Sequence, residues 1–174
     1  MMDPERPIFL IGYRGTGKST VARMLSQRLG RMAIDADDEI ERRAGQSIAE
    51  IFAAEGEAAF REMEADVLSE LCGHSASVIS LGGGAVLREE NRRAICGAGL
   101  AVWLTARIET IAARLANDAS TASRRPNLTL VGGQAEIAAL LAEREPLYRA
   151  CATLVVATDG KTTTEVAEEI LSQL

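Results

Sequence analysis

The chain has 174 residues, 47% hydrophobic, 25% charged and only 3% aromatic, with a formal net charge of -6. That length fits one domain with an aliphatic core, and the acidic balance excludes a general affinity for nucleic acid or an anionic membrane surface, both of which require basic faces. Any phosphate site must therefore be local, built from a few converging cations.

In chain order, Pro7 to Ile11 reads as a buried strand, and Ser19 to Leu29 as a helix with Val21, Leu25 and Leu29 on one apolar face. Gly30 stops that helix. Ala33 to Ile34, Ser77 to Leu81, Leu100 to Leu104 and Thr153 to Val156 supply four more strands. Helical patterns cover Ile40 to Arg43, Ser47 to Ala54, Glu57 to Leu71, Glu89 to Cys96, Ile108 to Leu115, Ala135 to Tyr148 and Thr164 to Leu174. Alternation of this kind predicts an α/β fold with a mostly parallel five-stranded sheet covered on both faces. Residues 117 to 133 lack either periodicity, and a connector that long is expected to be functional.

Between the first strand and helix lies Gly12-Tyr-Arg-Gly-Thr-Gly-Lys-Ser19, a G-x-x-x-x-G-K-[ST] loop. Gly15, Thr16 and Gly17 belong to its curl, whose inward N–H groups and helix N-terminus form a nest for phosphate. Lys18 is expected to bridge the β- and γ-phosphates of ATP, Ser19 to ligate Mg²⁺, and Thr20 to lie near the α-phosphate.

Asp35 and Asp37 follow the second strand at its carboxyl end, where open parallel sheets place ligands. We assign Asp35 to the metal shell and Asp37 to a substrate hydroxyl, leaving Asp38 and Glu39 as acids favoured by a helix N-terminus. Arg61, three residues before Glu64, can grip a carboxylate or form a plain surface ion pair. Gly82, Gly83 and Gly84 end the third strand and permit close backbone approach to a ligand. In the irregular segment Arg125 precedes Pro126 and is expected to reach the phosphates as a lid closes. Arg144 can join Arg61 in a two-arginine clamp, and Pro146 suggests a helix boundary or kink nearby. His74 reads as a surface residue, and Trp103 and Tyr148 as packing residues.

Three cysteines, Cys72, Cys96 and Cys151, have neither disulfide-framework nor zinc spacing and are expected as buried free thiols of a reducing cytosol. No apolar run approaches about 18 residues and no secretory signal is seen, so a cytoplasmic protein is expected.

Taken together, Asp35-x-Asp37 with Asp38-Glu-Ile-Glu41, Gly45-x-Ser47-Ile48, Ile51-Phe52, Glu55-Gly56-Glu57, Phe60-Arg61, Ser80 to Gly84, Arg125-Pro126 and Arg144-x-Pro146-Leu-Tyr-Arg149 resemble shikimate kinase over essentially the whole chain. The resemblance implies a three-layer P-loop NTPase fold of nucleoside-monophosphate-kinase type in a single domain over 1–174. It implies a substrate-binding helical region over about 35–63 and a mobile lid over about 116–133. It also implies Mg-ATP-dependent phosphorylation of the shikimate 3-hydroxyl, a step towards chorismate and the aromatic amino acids. Asp37 would contact the reacting hydroxyl, Arg61 and Arg144 the carboxylate, Gly82 and Gly83 the substrate through backbone, and Arg125 the ATP. Arg114 would pack on adenine, and Lys161 would complete that pocket. Partners are then small molecules, shikimate and ATP, with no nucleic acid or membrane, and a monomer is expected. The alternatives are another small-molecule P-loop kinase, such as a gluconate-kinase-like enzyme, and a non-catalytic nucleotide-binding regulator.

Overall fold

The computed structural model describes residues 5–118 and 133–174. Most of the predicted lid, with Arg125, therefore lies outside the described residues.

Five strands, β1 (Ile8–Ile11), β2 (Met32–Asp35), β3 (Ser77–Ser80), β4 (Leu100–Thr105) and β5 (Leu154–Ala157), form one parallel sheet in the order β2-β3-β1-β4-β5. The central strand explains the architecture. Ile8, Phe9, Leu10 and Ile11 are all essentially inaccessible because β1 pairs with β3 on one side and β4 on the other while helices cover both faces. A continuous apolar run is the signature of that environment, and each such side chain contributes about 1.5–3 kcal/mol on burial. The edge strand β2 is correspondingly more open, with Met32 65% exposed.

Seven helices are present among the described residues: α1 (Lys18–Leu29), α2 (Ala36–Ala44), α3 (Ile48–Leu71), α4 (Glu89–Ala98), α5 (Ile108–Asn117), α6 (Gly133–Cys151) and α7 (Thr163–Leu171). One core layer joins Ile8, Leu10, Val78 and Val102 to Val21 and Leu25 of α1 and Val166 and Ile170 of α7. The opposite layer joins Phe9, Ile11, Ile79 and Trp103 to Ile40 of α2, Phe60 and Leu68 of α3, Ile95 of α4 and Tyr148 of α6. Trp103 and Tyr148 stack with centroids 5.7 Å apart, the packing role expected of them.

Two local departures from expectation, at the start of α2 and at Pro146, and one expected break, at Gly56, have clear causes. Helix α2 begins at Ala36 rather than Ile40, because the Asp35 carboxylate caps it by accepting the backbone N–H groups of Asp37 and Asp38. The two helices expected over 47–71 are present and meet end to end within α3 at a kink, where Gly56 takes φ 83° and ψ 175°, a conformation essentially reserved for glycine. Pro146 marks no boundary: α6 continues five residues beyond it to Cys151, so the missing donor is accommodated inside a longer helix.

Consecutive connections run from β1 out to edge β2, back through β3, then across to β4, so strand order reverses beside β1. A crevice opens beyond the carboxyl ends at such a reversal.

Candidate active site

The loop from β1 to α1 lies in that crevice. Gly17 takes φ 91°, letting the backbone turn into the first residue of α1 without a Cβ penalty. The buried Thr16 hydroxyl donates to the Tyr13 carbonyl at 2.7 Å and braces the curl from inside. Lys18, 8% exposed, donates from Nζ to the carbonyls of Gly12 and Tyr13, each at 2.9 Å, so its ammonium is held over the loop rather than in solvent. Arg14 is tied to the first turn of α6 by a 3.1 Å ion pair with Glu136, itself 2% exposed. Nothing in the sequence spacing signals that pair, since 122 residues separate its members.

A cavity of about 460 Å³ runs from this loop to the ends of β2 and β3. Gly15, Gly17, Lys18, Ser19 and Thr20 line one side, and Asp35, Asp37, Gly82 and Gly83 the other. Along its lining the Ser19 hydroxyl donates to Asp35 Oδ2 at 2.5 Å and lies 3.3 Å from the Ser80 hydroxyl. Asp35 thus uses one carboxylate oxygen to cap α2 and the other to meet Ser19, which fixes its orientation. Hydroxyl and carboxylate oxygens at the mouth of a phosphate nest are hard donors that suit Mg²⁺, which keeps several waters and takes few protein ligands. Among the described residues no cluster of three or more His, Cys, Asp or Glu suited to a metal occurs.

Arg61 is no surface ion pair. It is 8% exposed, and its Nη1 donates to Glu64 Oε2 at 2.6 Å, with Glu64 only 3% exposed. Glu57 adds contacts of 3.3 and 3.4 Å from the preceding turn. The guanidinium lies against the glycine run after β3: a Cβ built on Gly84 would fall 2.4 Å from both Nη atoms. Arg144 is buried as well, at 6% exposure, with its Nε lacking a hydrogen-bond partner and its guanidinium 6.0 Å from the Tyr13 ring centre. One turn later on α6, Tyr148 donates its hydroxyl to the Gly83 carbonyl at 2.5 Å. Arg61 therefore lies directly against Gly84, whereas Arg144 faces the Tyr13 ring of the phosphate loop, and neither lines the phosphate cavity itself.

Arg114 and Lys161 sit apart from this group. Arg114 donates to the carbonyls of Gly15 and Thr158 and to the Thr158 hydroxyl, stitching the loop to the segment after β5. Lys161 pairs with Glu169 of α7 at 2.5 Å. Between them Asp159 accepts from the Thr110 hydroxyl at 2.6 Å and from the Arg107 backbone, and these bonds hold its carboxyl below the ordinary range.

Among the described residues no helix is long and apolar enough to cross a membrane.

A lysine-bearing glycine loop at the switch point of a five-stranded parallel sheet, facing a hydroxyl–carboxylate pair, defines a P-loop phosphotransferase. Comparison with known proteins sharpens this. The family model described as shikimate kinase matches residues 14–174. A shikimate kinase of Rhodopirellula baltica is 48% identical over 164 residues, spanning 94% of this chain and 88% of that one. One from Symbiobacterium thermophilum is 41% identical over 167 residues, covering 96% and 95%. Among solved structures, the shikimate kinase of Acinetobacter baumannii in complex with shikimate superposes with a TM-score of 0.91 at 36% identity, covering 97% of this chain and 92% of that one. The chain belongs to the shikimate kinase family, and is an enzyme of its nucleoside-monophosphate-kinase-like fold.

Proposed function

We propose that the chain transfers the γ-phosphoryl group of ATP to the 3-hydroxyl of shikimate, giving shikimate 3-phosphate and ADP. The observation that carries this reading beyond family membership is the buried Arg61 guanidinium, oriented by Glu64 against Gly84 at the end of β3. A permanently charged planar donor kept at 8% exposure is suited to a bidentate carboxylate contact, and shikimate carries one carboxylate.

The following roles are part of this proposal. Residues 35–63 form the acceptor-binding region: Asp37 orients the attacking hydroxyl and takes its proton, while Arg61 and Arg144 hold the carboxylate. Backbone at Gly82 and Gly83 meets the ring, and the loop N–H groups with Lys18 hold the β- and γ-phosphates in line. Ser19 and Asp35 would hold Mg²⁺, which when bound neutralises charge on the β- and γ-phosphates. Arg114 and Lys161 flank the nucleotide base. The protein acts as a cytoplasmic monomer on small molecules.

A coupled assay of ADP release tests this. Turnover should depend on shikimate, with a phosphomonoester appearing in the ³¹P spectrum of the product. Equal turnover with gluconate, or ADP release indifferent to shikimate, would sink the proposal.

A further inference from the structure

The expectation of three buried thiols holds in full only at Cys151 and is overturned outright at Cys96. Cys151, the last residue of α6, is buried at 3% exposure, and Cys72 is half-buried, but Cys96 near the end of α4 is exposed. Although 55 residues separate them, Cys96 Sγ lies 3.6 Å from Cys151 Sγ and also 3.6 Å from the Cys151 carbonyl oxygen. Two sulfurs at van der Waals contact, one open to solvent and one behind it, form a different object from a lone thiol.

From this geometry we infer that Cys96 and Cys151 form a reversible oxidation site, in which an intramolecular disulfide straps the end of α4 to the end of α6. Bond formation requires the sulfurs to close from 3.6 Å to about 2.05 Å, a shift within reach of side-chain rotation and a small helix adjustment. The exposed partner reacts first. With a hydroperoxide as oxidant, the Cys96 thiolate attacks one peroxide oxygen, the O–O bond breaks, and Cys96 sulfenic acid forms with release of water or alcohol. Cys151 sulfur then attacks Cys96 sulfur, the S–O bond breaks, and the Cys151 proton leaves with hydroxide as water. Two thiols have lost two electrons and the peroxide has gained them. A dithiol reductant restores both.

The order of events agrees with the surroundings. Burial, followed by the hydrogen bond and charge of Cys96, pushes the Cys151 thiol up to about 12, so it serves as the resolving sulfur and not the initiating one. The strap would anchor the helix that carries Arg144 and Tyr148 to the element packed beside it. It would also close a loop of about 55 residues, long enough to restrict the unfolded chain substantially. Cys72, with no sulfur partner among the described residues, is an internal comparator.

The test treats the full chain with a small excess of hydrogen peroxide, quenches remaining thiols with an alkylating agent, and maps tryptic peptides without reduction. We expect a linked pair of peptides 94–107 and 150–161, the mass of the whole chain lower by two hydrogens, and one alkylated cysteine, Cys72. The melting temperature should rise by about 5 °C or more and return to its starting value on adding dithiothreitol. Cys96→Ser and Cys151→Ser should each abolish the linked peptide and the rise. The inference is overturned if Cys96 proceeds to sulfinic acid at the same rate in wild type and Cys151→Ser, or if oxidation yields only dimers linked through Cys96.

Discussion

Replacing Gly84 with alanine probes the acceptor site through a single carbon. The Gly84 backbone is not in the left-handed region, so the effect of alanine falls chiefly on its neighbour. The new Cβ would lie 2.4 Å from Arg61 Nη1 and Nη2 and 2.6 Å from Cζ. Ordinary contact needs about 3.5 Å, so the guanidinium must withdraw by roughly 1 Å. It cannot do so freely, because Glu64 holds it at 2.6 Å in a site where both residues are under a tenth exposed. A displaced fork loses at least one charge-assisted hydrogen bond to the shikimate carboxylate, worth about 1.5–3 kcal/mol, which corresponds to a roughly 10- to 160-fold rise in KM for shikimate. KM for ATP should stay within about twofold, since Arg61 lines no part of the phosphate cavity. Coupled-assay kinetics with each substrate varied in turn, alongside thermal unfolding to confirm a folded variant, would decide. An unchanged KM for shikimate in a folded Gly84→Ala, or a rise confined to ATP, would refute the assignment of Arg61.

Other outcomes follow from the same coordinates. Asp37→Asn should lower kcat by roughly 10²- to 10⁴-fold with little change in KM for shikimate, measured in steady state. Gly56→Ala, forced to adopt φ 83° and ψ 175°, should lose about 1–3 kcal/mol in urea unfolding while kcat is largely kept. Glu39 is held at about 2 by hydrogen bonds from Arg42 and Arg43, below its ordinary 4.5. Its contribution to stability is therefore present above about pH 4.5 and disappears as pH falls towards 2. Urea midpoints of wild type and Glu39→Gln should differ at pH 7 and converge by about pH 2 to 3; a gap that widens on acidification would contradict this.

The parts of the fold legible in the sequence were those governed by local chemistry. The β1 run, the glycine loop and α1 follow each other within 22 residues, and each carries its own signal: apolarity, glycine spacing and period. Asp38 and Glu39 signal a helix N-terminus, but the apolar period starts only at Ile40, and Asp35 reads as a ligand although its carboxylate also caps the helix. For the candidate site, residue types were readable but burial was not. An Arg–Glu spacing of three is the same on an exposed helix as here, where Phe60 and the glycine run enclose it. The Arg14–Glu136 pair and the Cys96–Cys151 contact join residues far apart in sequence, and no periodicity announces contacts made by tertiary packing.

One calorimetric cycle tests the proposal that the buried Arg61 guanidinium recognises the acceptor's carboxylate. Shikimate and its methyl ester would each be titrated into wild type and Arg61→Lys. Wild type should bind the acid at least about tenfold more tightly than the ester, and in Arg61→Lys most of that preference should vanish. Equal binding of acid and ester by the wild type, or a preference that survives intact in Arg61→Lys, would show that Arg61 does not hold the carboxylate.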